Sequence, residues 1–382
     1  MGIIKTVTIT LIVCIAAVCA INAPDRALRP EVKEITSAVD ELAQLGGKAG
    51  ANNAYFAVLG FVSPENVDIA KEGKRIHEQH YTSVQEGYPD NNESKQASLS
   101  FVKHSDIPQC KSEESNCLAF YERNGEKHKQ LVKNNRLILE RYAQLGSYSE
   151  YRDLMRLNPW KSPADLSSAI YSAHALSAAE AAYLFNNGKQ QKAVEMMVAD
   201  IQLWRRFLGG SADIVGKTFS MISLRGNYTL LNEMISSFPA NIELPDLGNA
   251  PAPLTEDEKS LDLVFDGYLQ QLSWILNHNR WPFSQKKMTL GERYFLKSNA
   301  TLNKAYPIFA ALKRAAKATP DQLEQELSAL NEKIQHARHK GIDMVYNPRG
   351  KQFIASAFDS YVASDWNTKV QFLSDMIRAT DK

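Results

Sequence analysis

The sequence predicts an all-α fold, on three observations. Apolar residues recur at helical spacing through most of the chain, as in Leu323, Leu327, Leu330, Ile334 and Ala337. Helix start and stop signals bracket those stripes. No sustained apolar–polar alternation and no Asn-Gly turn between apolar runs marks a strand. The expected architecture is a multi-helix body of stacked antiparallel hairpins behind an N-terminal membrane-targeting helix.

That targeting helix occupies residues 1–23. Lys5 is its one charge, and the sixteen residues of Thr6–Ile21 run uncharged and mostly apolar. A signal peptide needs about 7–15 apolar residues and small residues at the cut. Val18-Cys19-Ala20 is an acceptable triplet; Ala23 is poorer, because Pro24 follows it. An uncleaved anchor needs about 20 apolar residues, which Met1–Ile4 would extend past Lys5. Both readings stand. A lipoprotein is disfavoured, because Val13 and Val18 precede Cys14 and Cys19 where a small residue is expected. The body is therefore expected on the far side of a membrane. It would be held at that membrane if the segment is kept, or released from it if the segment is cut.

Residues 24–238 read as a helical block. A helix is expected through Asn66–Val84. An irregular, polar stretch near 87–117 contains the body's two cysteines, Cys110 and Cys117, with six residues between them. Alone in an exported body, the pair favours a disulfide over free thiols or a metal site, since zinc would need further ligands nearby. Ser162-Pro163 opens an alanine-rich helix through Phe185, and Asn186-Asn187-Gly188 turns the chain. The return helix puts Ala193, Met197, Ile201, Trp204 and Leu208 on one face. Ala169, Ala173 and Ala182 would let the two helices approach closely. Gly209-Gly210-Ser211 makes the next break, before a pair over Ala212–Ser237. The packing is tetratricopeptide-like without regular repeats, since no fixed period recurs.

The connection at 239–254 is proline-rich (Pro239, Pro245, Pro251, Pro253) and either links two domains or packs across one, with Ile242, Leu244 and Leu247 to bury. The second block covers 255–382. Thr255 with Glu258 forms a capping box ahead of an apolar face from Leu261 to Leu276. Thr319, Pro320 and Gln322 start a helix that Gly341 stops. The last helix starts at Ser364 and buries Trp366, Val370, Leu373 and Ile377.

The charge balance excludes some partners. With 44 basic and 43 acidic residues in 382, the net charge is +1, which offers no field for nucleic acid. Gly216-Lys217-Thr218 lacks the first glycine and the preceding strand of a phosphate loop. No nucleophile elbow and no dinucleotide-binding turn is present, and no cofactor is implied. His77 and His80 are three apart, not the four of a zinc-protease helix. His336 and His339 suit a helix C-terminus.

Two polar clusters remain as candidate binding sites. Asn277–Pro282 contributes Arg280 and Trp281 directly after an apolar helix. Tyr346–Lys351 contributes Asn347, Arg349 and Lys351 at a helix start, where backbone N–H groups favour an anion. Asn299 belongs to the same set. The competing role for both clusters is a helix-ending turn that satisfies its own backbone.

In order along the chain, NAYFAVLGF (53–61), CLAFY (117–121), ERYAQL (140–145), DIQLWRRFL (200–208), NATLN (299–303) and YNPRGK (346–351) give the sequence a resemblance. It resembles membrane-anchored or exported all-helical envelope proteins of Gram-negative bacteria, a group with no assigned activity. That resemblance implies an envelope location and supplies no catalytic residue. Two function classes follow. One is a non-catalytic binding or scaffold protein with an envelope protein partner, the class that the lack of active-site motifs favours. The other is a cell-wall or lipid hydrolase or lyase with one buried carboxylate in a cleft between the helical blocks.

Overall fold

The computed structural model describes residues 2–45, 52–86, 99–110, 116–154, 164–279, 287–319 and 346–361, with scattered positions between 322 and 332. Among these the fold is all-helical. The helices are α1 (Gly2–Asn22), α2 (Pro30–Leu45), α3 (Ala54–Leu59), α4 (Ile69–Glu86), α5 (Cys117–Arg123), α6 (Gly125–Asn134), α7 (Arg136–Gly146), α8 (Ala164–Asn186), α9 (Gln190–Gly210), α10 (Ile214–Ser236), α11 (Glu256–Lys259), α12 (Asp262–Asn277), α13 (Leu290–Tyr294), α14 (Ser298–Lys317) and α15 (Pro348–Tyr361), with a 3-10 turn at His104–Asp106. The named extended pairing among them is a single bridge, Asn53 with Glu150. No helix of the described residues is long and apolar enough to cross a membrane. The last helix expected from Ser364, most of the one expected between Thr319 and Gly341, and His336, His339, Arg280 and Trp281 lie outside the described residues.

The chain divides into two compact units. One joins the N-terminal residues through Gln44 to those from Val264 onward; the other is Leu45–Leu263.

In the Leu45–Leu263 unit, α8, α9 and α10 are joined by turns at 187–189 and 211–213, so consecutive helices run antiparallel. Ala169, Ala173 and Ala182 on α8 are fully buried, as are Ala193, Ile201 and Leu208 on α9. The Cys110–Cys117 disulfide is present and ties the preceding stretch to the start of α5. Glu233, from α10, caps that start: its carboxylate accepts from the N–H groups of Asn116, Cys117 and Leu118 at 2.8–2.9 Å. The capping box at Thr255 forms but opens only the one-turn α11. Ser260 breaks the helix there, and its Oγ caps the start of α12 by accepting from Asp262 N.

In the other unit, the chain leaving α1 is stitched to α14 and α15. Asp25 supplies the cap that Lys297 lacks at the start of α14, accepting from Asn299 N and Ala300 N at 3.0 and 3.1 Å. Asn303 accepts from Arg29 N and donates to Ala27 O. Asn22, fully buried, accepts from Asn347 N at 2.8 Å.

The α3–α4 contact depends on two glycines. A Cβ on Gly60 would collide with the Ile69 carbonyl, and one on Gly73 with the Phe56 carbonyl. Gly73→Ala should therefore lower stability by about 1–3 kcal/mol. Gly146→Ala, with open space around it, should be near neutral. Thermal melts followed by circular dichroism test the pair, and equal melting points would refute the contact.

Candidate functional site

Helix α9 buries a carboxylate among apolar neighbours. Asp200 is 5% exposed and accepts three hydrogen bonds, one from each surrounding helix. Tyr142 Oη (α7) donates at 2.5 Å, Asn227 Nδ2 (α10) at 2.7 Å and His174 Nδ1 (α8) at 2.9 Å. One turn along, Trp204 Nε1 donates to Tyr142 Oη at 2.8 Å and lies 3.1 Å from His174 Nδ1. Because a carboxylate accepts, the contact with Asp200 places a proton on His174 Nδ1. Burial, and then the Asp200 charge, pushes the Tyr142 phenol far up. Tyr171 packs against Trp204, and the half-buried His104 ring lies 5.3 Å from Tyr171. Burial lowers the His104 pKa, and His174 lowers it further. An imidazole oriented by a carboxylate suits general acid–base work. Among the described residues, no three His, Cys, Asp or Glu side chains converge to hold a metal ion.

On another side of α9 lies a cleft of about 950 Å³. Arg205 builds its base and uses all five donors. Nε and Nη2 grip Glu258 at 2.8 and 2.9 Å, Nη1 reaches the carbonyls of Asn249 and Ala252, and Nη2 that of Pro253. The proline-rich connection is thus packed against its own unit, with Ala250 and Leu254 buried, whereas Leu244 is exposed. Burial pushes the Glu258 carboxyl up, but hydrogen bonds from Arg205 and Thr255 outweigh it and hold the group below the usual carboxylate range. The Lys217 side chain, in a residue 1% exposed, makes a single hydrogen bond among the described residues, 3.4 Å to Glu258 O. Burial lowers its amine to about 8, against the pull of Glu258, Asp257 and Asp262. Glu150, Arg152, Gln202, Arg206, Asn249 and Asp257 are among the residues that line the walls.

The sequence-derived candidates lie in the other unit. Asn347 has positive φ (54°) and caps α15: its Oδ1 accepts from Gly350 N and Lys297 N, and its Nδ2 donates to Thr301 Oγ1 at 3.0 Å. Arg349 N donates to Phe295 O and Lys351 N to Asn347 O. The first-turn N–H groups are thus engaged within the protein. The Arg349 side chain donates to Gln352 Oε1 at 2.5 Å, Lys351 is buried, and Asn299 meets Asp25 through its backbone. Asn299 and Asn347 together bracket the first turn of α14. His278, from the first cluster, bonds the Trp274 carbonyl and stacks on its ring. His77 pairs with Tyr55 Oη at 3.0 Å.

Sequence reasoning missed Tyr142, His174, Asp200, Asn227 and Arg205. The signal was a lone polar residue on a buried face, Asp200 beside Ile201 and His174 among alanines. No family model matches this chain, and no curated protein or solved structure matches it.

Two outcomes follow. Asp200→Ala leaves three buried donors unpaired and should cost about 3–5 kcal/mol in urea denaturation; a cost below 1 kcal/mol would refute the network. Lys217 is charged below its folded pKa of about 8, and the unfolded amine titrates near about 10.4. The unfolded state therefore binds more protons between those values, and stability rises with pH there. Lys217→Met should stabilise by about 1–3 kcal/mol at pH 7, with the gain shrinking toward pH 10. A gain that does not depend on pH would contradict the assignment.

Proposed function

We propose that the protein is a non-catalytic helical binding protein of the cell envelope. It is tethered by its N-terminal helix and holds an extended polypeptide segment of a partner in the cleft beside α9. One observation carries the reading: the base of the cleft is saturated while its walls are not. Arg205 and Glu258 are fully engaged, whereas the side chains of Glu150, Arg152 and Gln202 make no hydrogen bond with the described residues. Both signs of charge line the walls, which suits a peptide with its own amides and mixed side chains. The antiparallel stack of α8, α9 and α10 supports a tetratricopeptide-like groove. The disulfide supports an oxidising compartment such as the periplasm, with the body held at the inner membrane.

The hydrolase or lyase reading has one observation in its favour: His174 Nε2 has no partner among the described residues while Asp200 orients Nδ1. Against it, the buried carboxylates of the described residues, Glu72, Asp200 and Glu258, all accept hydrogen bonds. None is the unpaired general acid that such chemistry needs.

A photo-crosslinking residue at Gln202 in the native host tests the cleft. An adduct of one defined mass is expected, lost several-fold on Arg152→Glu and Asp257→Lys. An adduct indifferent to both reversals would overturn the reading. Loss of cellular function in folded His174→Gln, but not in the reversals, would replace it with the enzyme.

A further inference from the structure

We propose that α1 is retained as a working part of its unit, and that a platform at its foot seats that unit on a bilayer with anionic headgroups. Leu290 and Tyr294 form the platform, with Arg26 and Arg293 around it. The proposal rests on the tethered reading above and adds the surface that meets the lipid.

The first argument is the exposure of α1. Ile12, Val13, Cys14, Ile15, Ala16 and Ala17 are all exposed, Ile12, Val13 and Ile15 by 55–60%. Six consecutive residues at about 100° each sweep the whole circumference of the helix. A single docked protein surface would cover one face. A helix that is apolar all round and not buried in protein needs lipid on every side.

The second argument is length. The apolar run Thr6–Ile21 rises about 1.5 Å per residue, or roughly 24 Å, against about 30 Å of hydrocarbon. A run that short brings its flanking residues into the interface and thins the bilayer around it. The structure has suitable groups there. Tyr294 Oη donates to the Cys19 carbonyl at 2.7 Å, which places α13 at the foot of α1. Leu290, one turn away, is 83% exposed, and Tyr294 is 40% exposed. An apolar body with a polar tip suits tyrosine to the headgroup level.

Charge agrees with this placement. Lys297 Nζ lies 5.1 Å from the Tyr294 ring, and the Arg26 guanidinium lies 4.9 Å from the Tyr346 ring. Arg26 and Arg293 are exposed. The nearby carboxylates are committed to helix starts, Asp25 to α14 and Glu292 to the Thr289 capping box. Arg26 and Arg293 can each pair with an anionic headgroup. The foot is also rigid. Asn22 donates to Val18 O and accepts from Asn347 N, so α1 continues into the unit without a flexible linker.

The test uses the full chain with Cys14→Ala and Cys19→Ala, in vesicles of phosphatidylethanolamine and phosphatidylglycerol. An environment-sensitive dye is placed at Leu290→Cys or, separately, at Ile15→Cys. Intact mass is measured on protein recovered from cells. The expected result is an uncut N-terminus, with both dyes blue-shifted and the Leu290→Cys dye quenched by a headgroup nitroxide lipid. A dye at 15 buried in lipid with a dye at 290 in water would overturn the platform and leave the tether standing. Both dyes in water, or a chain cut after Ala20, would overturn the tether as well.

Discussion

The Leu45–Leu263 unit is organised by the need to satisfy one buried carboxylate. Asp200 is out of water and must collect donors. The three donors it collects come from three different helices, α7, α8 and α10. Each of those helices is thereby fixed in rotation and height against α9. Trp204, one turn on, closes the network through Tyr142. Arg205 then follows from the same register. Five residues beyond Asp200, it lies about 140° around the helix, on a different face, where it gathers the proline-rich connection. A one-residue slip of α9 would break both arrangements at once.

The elements were largely legible in the sequence, because they rest on local signals. Periodicity and turn signals marked α8 and α9, and the alanines of α8 marked the close approach, but the pair expected over Ala212–Ser237 is a single helix, α10, because Asp213 caps its start and no break follows before Ser237. Thr255 and Glu258 marked a helix start, but not that Ser260 would end it within a turn. Nor did they show that Arg205, about 50 residues away in sequence, would hold Glu258, since no local pattern carries that pairing. The disulfide was legible because Cys110 and Cys117 have no competing partner in the body. The cleft was not legible, because its walls come from four separate stretches whose side chains look like ordinary surface polarity.

The short motifs that stood out in the sequence have a common physical explanation. Most of them satisfy backbone groups far away in the chain. Arg141 of ERYAQL is buried and donates to the carbonyls of Phe61, Ser63 and Pro64. Asn53 of NAYFAVLGF exchanges hydrogen bonds with the backbone of Arg152. Asn347 of YNPRGK ties α1, α14 and α15 together. Helix ends leave orphan donors and acceptors, and a body of many short helices has many ends. Asn, Arg and Glu at those ends are then required by the fold itself, so their conspicuousness in the sequence is weak evidence of a ligand site.

This point bears on where function can reside. A polar group that is fully bonded within the fold has little left to offer a ligand, because each new contact must displace one already made. Arg205, Glu258, Asn347 and Asp200 are in that position. Two groups with unspent capacity among the described residues bear on the readings above. His174 Nε2 has no partner among the described residues, but Tyr142, Asp200 and Trp204 hold the ring in place. Glu150, Arg152 and Gln202 stand beside a fully bonded floor, and their side chains make no hydrogen bond with the described residues. Recognition needs just that combination, a fixed base that costs little ordering entropy and side chains free to bond a guest.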